Sequence, residues 1–253
     1  MPEFNPFKNK KDLIQKISLE KRENILPNVD KFKEIAEDFD IKVLGAGTEC
    51  LVVDDPDSNE KAIAINYKDL SPEDAKDIYY SSKIWSTLFP HNFPKIYAAI
   101  AKTENGAFNG TVREKIDGKT LHDQNYSLRQ MMESNFEEKV SLSSLMKNIK
   151  NYLLNIKVET KYPFADALKE MEFLSKSPYN LPFFIDGNTK NFIKTDNGDE
   201  YYVDTMRMGS RLLDNVNISA VENYMREKGY NESDLTKVVG SIKRLSKIFS
   251  NNK

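Results

Sequence analysis

Over residues 8–38 apolar side chains recur at helical spacing, with Leu13, Ile14, Ile17, Leu19, Ile25, Phe32 and Ile35 set among charged residues and Pro27 interrupting the run. Two packing helices are predicted there. From Ile41 the rhythm shortens to extended segments at 41–44, 50–53 and 62–65, with the polar stretch 54–60 as the turn before the third. This predicts a small antiparallel sheet. Ser71-Pro-Glu-Asp then opens a helix, with Ser as cap, Pro at the first helical position and acids in the first turn, expected to run to about Leu88 and stop before Pro90. Two more strands are expected at 95–101 and 110–116, joined through Glu104-Asn105-Gly106.

Beyond Asp117-Gly118 the periodicity turns mainly helical, at 131–136, 142–156, 164–175, 220–228 and 235–249. Embedded in it, 191–195 and 200–204 read as paired strands around the turn Asp196-Asn197-Gly198-Asp199. Strands with one inserted helix, followed by a helical half, predict an α+β chain of two lobes. The expected divisions are a helical N-terminal extension (1–38), an antiparallel-sheet lobe (39–117) and a mainly helical lobe (118–253). Trp85 and the pair Phe183-Phe184 are expected in the core.

Composition supplies enough apolar material for this core and narrows the partners. The 253 residues are 39% hydrophobic and 11% aromatic. Their 37 basic and 39 acidic residues nearly cancel, so no global field recruits nucleic acid or an anionic membrane, and neither is expected as a partner. The single Cys50 excludes an intramolecular disulfide, and with only His91 and His122 it offers no zinc set. The first residues lack an apolar core of signal-peptide length, and no window approaches a membrane span. A cytoplasmic protein is predicted; export by a route without a cleaved hydrophobic peptide stays open.

Candidate chemistry gathers at Asp186-Gly-Asn-Thr-Lys-Asn191 and Asp204-Thr-Met, where Asn191 lies five positions and Asp204 eighteen positions after Asp186. Phosphoryl transfer needs charge neutralisation of a polyphosphate, usually by magnesium, and a group that orients the nucleophile. Magnesium takes a few hard oxygen ligands and keeps water, which an amide oxygen from Asn191 and the Asp204 carboxylate supply. Asp186, on the same short loop as Asn191, is placed to accept or orient a hydroxyl proton. Taken singly, Asp-Gly and Asn are turn formers that bond their own backbone. Asp54, Asp55, Asp57, Asn59 and Glu60 suggest calcium but lack the loop length and glycine of a known cage, so a solvent-facing turn suffices. Lys147, Lys150, Lys157 and Lys161 form a stripe that reads as a solvated helix face or a contact for a phosphorylated partner.

Across about 39–210 the pattern resembles the protein-kinase-like superfamily, including the aminoglycoside-phosphotransferase-like small-molecule kinases. The resemblance implies a two-lobed fold with a small antiparallel-sheet N-lobe and a helical C-lobe. It makes Asp186 the catalytic-loop Asp, and Asn191 and Asp204 the metal ligands. Gly45-Ala-Gly47-Thr-Glu-Cys50 resembles the glycine-rich loop, where small residues let backbone amides approach phosphates; a two-glycine hairpin turn reads the same way. A dinucleotide fingerprint would need a helix after the glycines, and a Walker loop would need Gly-Lys-Ser/Thr. Gly110-Thr-Val-Arg-Glu114-Lys-Ile116-Asp-Gly118 is similar to the fifth strand and hinge, which implies that backbone groups near Glu114 and Ile116 bond an adenine edge. A strand leaving through a glycine turn into a helix has the same pattern. The implied function is an ATP- and magnesium- (or manganese-) dependent phosphotransferase, using ATP or another purine nucleotide and acting on a hydroxyl of a small molecule or protein.

Several family parts are absent. Ile63-Ala64-Ile65-Asn66 matches the third strand but has Asn66 at the position of the phosphate-binding Lys, and Tyr80, Ser81 and Ser82 offer no Glu to pair with one. The loss is paired, which is physically coherent, since an unpartnered buried Glu is costly. Lys68, two residues on and expected on the same strand face, and Arg113, at the gatekeeper-like position, are the alternative cations. Phe184-Ile185 stands for His-Arg, Thr205-Met206 stands for Phe-Gly, and no Ala-Pro-Glu segment is present among the 49 residues after Asp204. These departures leave two alternatives open: a pseudokinase or nucleotide-binding interaction module, and an atypical nucleotidyl transferase.

Overall fold

The computed structural model describes residues 29–38, 40–47, 49–101, 109–120, 163–186, 188–208 and 215–250. The expected helix before Pro27, the turn at Glu104-Asn105-Gly106, the helices at 131–136 and 142–156 and the lysine stripe lie outside them. In chain order the elements are α1 (Val29–Asp38), β1 (Val43–Ala46), β2 (Cys50–Asp55), β3 (Ser58–Asn66), α2 (Pro72–Leu88), β4 (Ile96–Ile100), β5 (Gly110–Glu114), β6 (Lys119–Thr120), α3 (Pro163–Leu174), β7 (Phe192–Lys194), β8 (Glu200–Tyr202), α4 (Ile218–Glu227) and α5 (Glu232–Ser250). The protein is therefore mixed α+β. Its strands form a five-stranded antiparallel sheet in the order β1-β2-β3-β5-β4 and a three-stranded sheet β6-β7-β8. Among the described residues no helix is long and apolar enough to cross a membrane.

The chain divides into two compact units, one holding the described residues through Tyr79 with Ile96–Lys115, the other holding Tyr80–Lys95 and the described residues from Ile116 on. In the first, Leu51 and Val53 of β2 stand directly opposite Ile65 and Ile63 of β3. Their period-2 spacing puts all four on one face, where they join Ile35 and Ala36 of α1, Ile41 and Tyr67 in a core. Full burial of each large aliphatic side chain contributes about 2 kcal/mol. Helix α1 ends in a paired backbone cap: Ile41 N–H donates to Ala36 O (3.0 Å) and Asp40 N–H to Glu37 O (2.9 Å), with Asp40 in the left-handed region. Gly110 faces Ile65 where β5 crosses β3, and a Cβ there would lie 1.9 Å from the Ala64 carbonyl oxygen.

The second unit is built around aromatic rings. Trp85, Phe93, Phe164, Phe183, Phe192 and Tyr202 are buried with Leu168, Met171 and Leu174 of α3 and the inward faces of α4 and α5. Helix ends are satisfied locally. Ser71 and Asp74 exchange hydrogen bonds at the start of α2, with Asp74 N–H to Ser71 Oγ at 3.0 Å and Ser71 N–H to Asp74 Oδ2 at 3.3 Å. Asn217 and Asn231 cap α4 and α5 through Ala220 N–H (3.1 Å) and Asp234 N–H (2.9 Å).

Two expected strand starts move by two residues or more, and one strand is new. Strand β1 begins at Val43 rather than Ile41, because 41 and 42 complete the α1 cap and its exit. Strand β3 begins at Ser58, since Asp55 pairs with Ser58 around Pro56-Asp57, so the polar stretch 54–60 is mostly hairpin rather than turn. Strand β6, which pairs with β7, was not expected.

Glu200 on β8 is 1% exposed. Its carboxylate accepts the backbone N–H of Phe164 in the first turn of α3, and Lys194 Nζ lies 3.9 Å away. Burial pushes its pKa up, and Lys194 and the Phe164 N–H only partly oppose that. The folded state thus holds the Glu200 proton more tightly than the unfolded chain. Stability is expected to fall as pH rises from the ordinary glutamate range through the raised value. Denaturant unfolding across that window is expected to show the slope in the wild type and a flatter one in Glu200→Gln.

Candidate functional site

Asp186 ends an extended run in which Leu181, Phe183 and Ile185 face the core. Phe184, expected in that core, is instead 42% exposed, because the run presents its neighbours on either side inward. After Asp186 the chain folds on itself through side-chain caps. Asp186 Oδ1 accepts Asn188 N–H (3.1 Å), Asn188 Oδ1 accepts Lys190 N–H (3.1 Å), and a 3-10 turn over Thr189–Asn191 closes with Asn191 N–H to Asn188 O (2.9 Å). Val203 N–H then donates to Asn191 O (2.8 Å), fastening this turn to the end of β8.

This winding brings the three candidate side chains together. Asn191 Nδ2 donates to Asp186 Oδ2 at 3.2 Å and to Asp204 Oδ2 at 3.3 Å. The remaining oxygens are used as well, with Thr205 N–H donating to Asp204 Oδ1 at 2.7 Å. Below the pair stands Tyr202, whose ring is 1% exposed. Its hydroxyl accepts Asp186 N–H at 3.0 Å and donates to Asp204 Oδ2 at 3.5 Å. Burial, then the Asp204 charge, push the phenol pKa up, so the hydroxyl keeps its proton and remains a donor.

Two carboxylates converging on one neutral amide form a set of hard oxygen donors once the amide presents its oxygen. Such a set suits magnesium or manganese, which bind through one or two carboxylates and keep several waters. Among the described residues no group of three or more His, Cys, Asp or Glu side chains is gathered as for a metal, so any divalent ion here relies on this sparser set.

Of the other candidates, Gly45, Gly47, Asn66, Lys68, Arg113 and Glu114 belong to the first unit and Ile116 to the second. Gly45 on β1 and Gly47 adopt no left-handed conformation, and an added Cβ would meet nothing within 4 Å at Gly45 and only Cys50 O at 3.9 Å at Gly47. Neither glycine is needed for packing. Gly118, in contrast, lies against β7, where a Cβ would approach Lys194 O to 2.3 Å, so this glycine serves the β6–β7 contact. Glu114 ends β5 opposite Lys61, Ile116 follows half-buried, and Arg113 pairs in register with Ala62 and Ile96. The chain continues from Gly118 into β6 rather than directly into a helix.

Asn66 is the last residue of β3, half-buried, with its N–H donating to Asn109 O (2.9 Å). Lys68 is not on that strand face: β3 has ended, and the exposed Lys68 sits in the following bend. The bend is held by Asn109, which was not singled out from sequence. Its amide donates to Lys68 O (2.7 Å) and Asn66 O (3.3 Å), and its oxygen accepts Leu70 N–H (2.7 Å). Ser81, at a helix position examined for a Glu, is fully buried, and its Oγ accepts Met208 N–H at 3.1 Å. Tyr202, the last residue of β8 and two residues before Asp204, was also missed.

No protein-family model matches this chain, and no curated protein matches it.

Alanine at two glycines separates backbone packing from open space. Gly110→Ala is expected to lower stability by at least ~2 kcal/mol, and Gly45→Ala to change it by less than ~0.5 kcal/mol, in chemical denaturation.

Proposed function

We propose that this chain is a kinase-like phosphotransferase that uses ATP, or another purine nucleotide, with magnesium or manganese to phosphorylate a hydroxyl of a small molecule or protein. The observation that carries this reading is the convergence of Asp186, Asn191 and Asp204 within hydrogen-bond distance of one amide group. The order of elements supports it too: three antiparallel strands, a helix, two more strands, and then the segment bearing the acidic loop. In this reading the five-stranded unit is the N-lobe and the unit holding Asp186 is the C-lobe.

Asn191 and Asp204 would hold the cation, which when bound offsets the charge of the triphosphate. Asp186 orients the acceptor hydroxyl and takes its proton as the γ-phosphoryl group leaves ADP for the acceptor oxygen. Asp186 Oδ1 is already fixed by the Asn188 N–H, so the carboxylate is oriented before the acceptor arrives. The open space beside Gly45 and Gly47 would let phosphates approach the β1–β2 turn, where the Gly47 N–H is already donated to Cys50 O (3.0 Å), and the backbone near Glu114 and Ile116 would take the adenine edge.

A second reading, a nucleotide-binding module without efficient transfer, is favoured by one feature. The third strand ends in neutral Asn66 with its backbone clamped by Asn109, and where the family pattern has a helix Glu this chain has Ser81, whose Oγ accepts Met208 N–H.

ATP with magnesium or manganese is expected to raise the melting temperature of the wild type, by the equivalent of about 2.7 kcal/mol at a hundredfold excess over Kd, and to leave Asp204→Ala unmoved. With ATP labelled separately at the α and γ phosphates, γ label is expected on the acceptor. Transfer of α label would assign nucleotidyl transfer, binding without transfer would assign the second reading, and no thermal shift in any condition would remove all three.

A further inference from the structure

We propose that Tyr202 is a positioning residue whose hydroxyl sets the separation of Asp186 and Asp204, so that divalent-cation affinity depends on a phenol that does not itself ligate. The inference rests on the reading of Asp186, Asn191 and Asp204 as a cation–nucleotide site. Phenylalanine would fill the same buried space without the cost of desolvating a hydroxyl, so core packing alone does not explain tyrosine here.

The hydroxyl closes a ring of hydrogen bonds. Asp186 N–H donates to it (3.0 Å), and it donates to Asp204 Oδ2 (3.5 Å). The same oxygen accepts Asn191 Nδ2 (3.3 Å), which returns to Asp186 Oδ2 (3.2 Å). The loop and the end of β8 are thereby held to one fixed point. That point cannot drift, because the Tyr202 ring is packed by Phe192, Phe93 and Phe164 at centroid distances of 5.2, 6.1 and 6.2 Å. Its backbone N–H is tied to Asn92 O at 2.8 Å. Groups that orient metal ligands without touching the metal typically change affinity by about 10–100-fold when removed.

The test uses the full chain as wild type, Tyr202→Phe, Asp204→Ala and Ile242→Val, the last a conservative change of a buried α5 residue. Each is titrated with manganese alone by electron paramagnetic resonance, melted without metal, and the Asp186 amide proton is followed by NMR. Expected is a loss of manganese affinity of about tenfold or more in Tyr202→Phe, with a metal-free melting temperature no lower than that of Ile242→Val and an upfield shift of the Asp186 amide proton. Affinity within about twofold of wild type in Tyr202→Phe, while Asp204→Ala abolishes binding, would overturn the positioning role and leave the cation site standing. An equal affinity loss in Ile242→Val would overturn it as well, since the effect would then track general stability. A wild type that binds no manganese would remove the site reading and this inference together.

Discussion

The second unit depends on one amphipathic side chain. Tyr202 has its ring among Phe93, Phe164 and Phe192 and its oxygen against the backbone of Asp186, so the aromatic core and the acidic loop meet at a single rigid group. Loops tolerate small displacements, whereas packed aromatic cores do not. Referencing the loop to the core gives Asp186 and Asp204 the positional definition of a strand residue, although both lie outside any regular element.

The same economy recurs around it. Asn191 serves as backbone acceptor for Val203 and as side-chain donor to two carboxylates, and Asn188 caps the turn between them. Asn109 does comparable work in the first unit, where one buried amide gathers the backbone of Asn66, at the end of β3, and of Lys68 and Leu70 beyond it. In both places a short polar side chain substitutes for secondary structure in satisfying backbone groups that would be costly to leave unmet.

Much of the architecture was legible because local rules and tertiary packing agree. Ser71 and Asp74 mark the start of α2 by chemistry that needs no long-range partner, and the alternation of Leu51, Val53, Ile63 and Ile65 declares one buried sheet face. Legibility failed where a residue's role is set by something distant in sequence. The polar Ser58-Asn59-Glu60 run is strand because Ser58 pairs with Asp55 of β2 and Glu60 O accepts the N–H of Lys115, and two-residue β6 exists because β7 is beside it. Phe184 faces solvent because its neighbours on either side are already committed to the core. For the site, spacing was enough to nominate Asp186, Asn191 and Asp204. The phenol beneath them was not, because an aromatic strand residue has the same pattern whether or not its hydroxyl has work to do. The glycines divide in the same way: Gly110 and Gly118 are demanded by backbone approaches no motif records, and Gly45 and Gly47 by none.

The β7–β8 hairpin also constrains which length changes this chain can absorb. Phe192 pairs with Tyr202 and Ile193 with Tyr201, and strand side chains alternate faces, so adding or deleting one residue in the Asp196–Asp199 turn would send Tyr201 inward and turn Tyr202 toward solvent. A change of two residues restores the facing. A slip of the β7–β8 register is therefore tolerable only in even steps, a parity rule imposed by the pleat rather than by the acidic residues themselves.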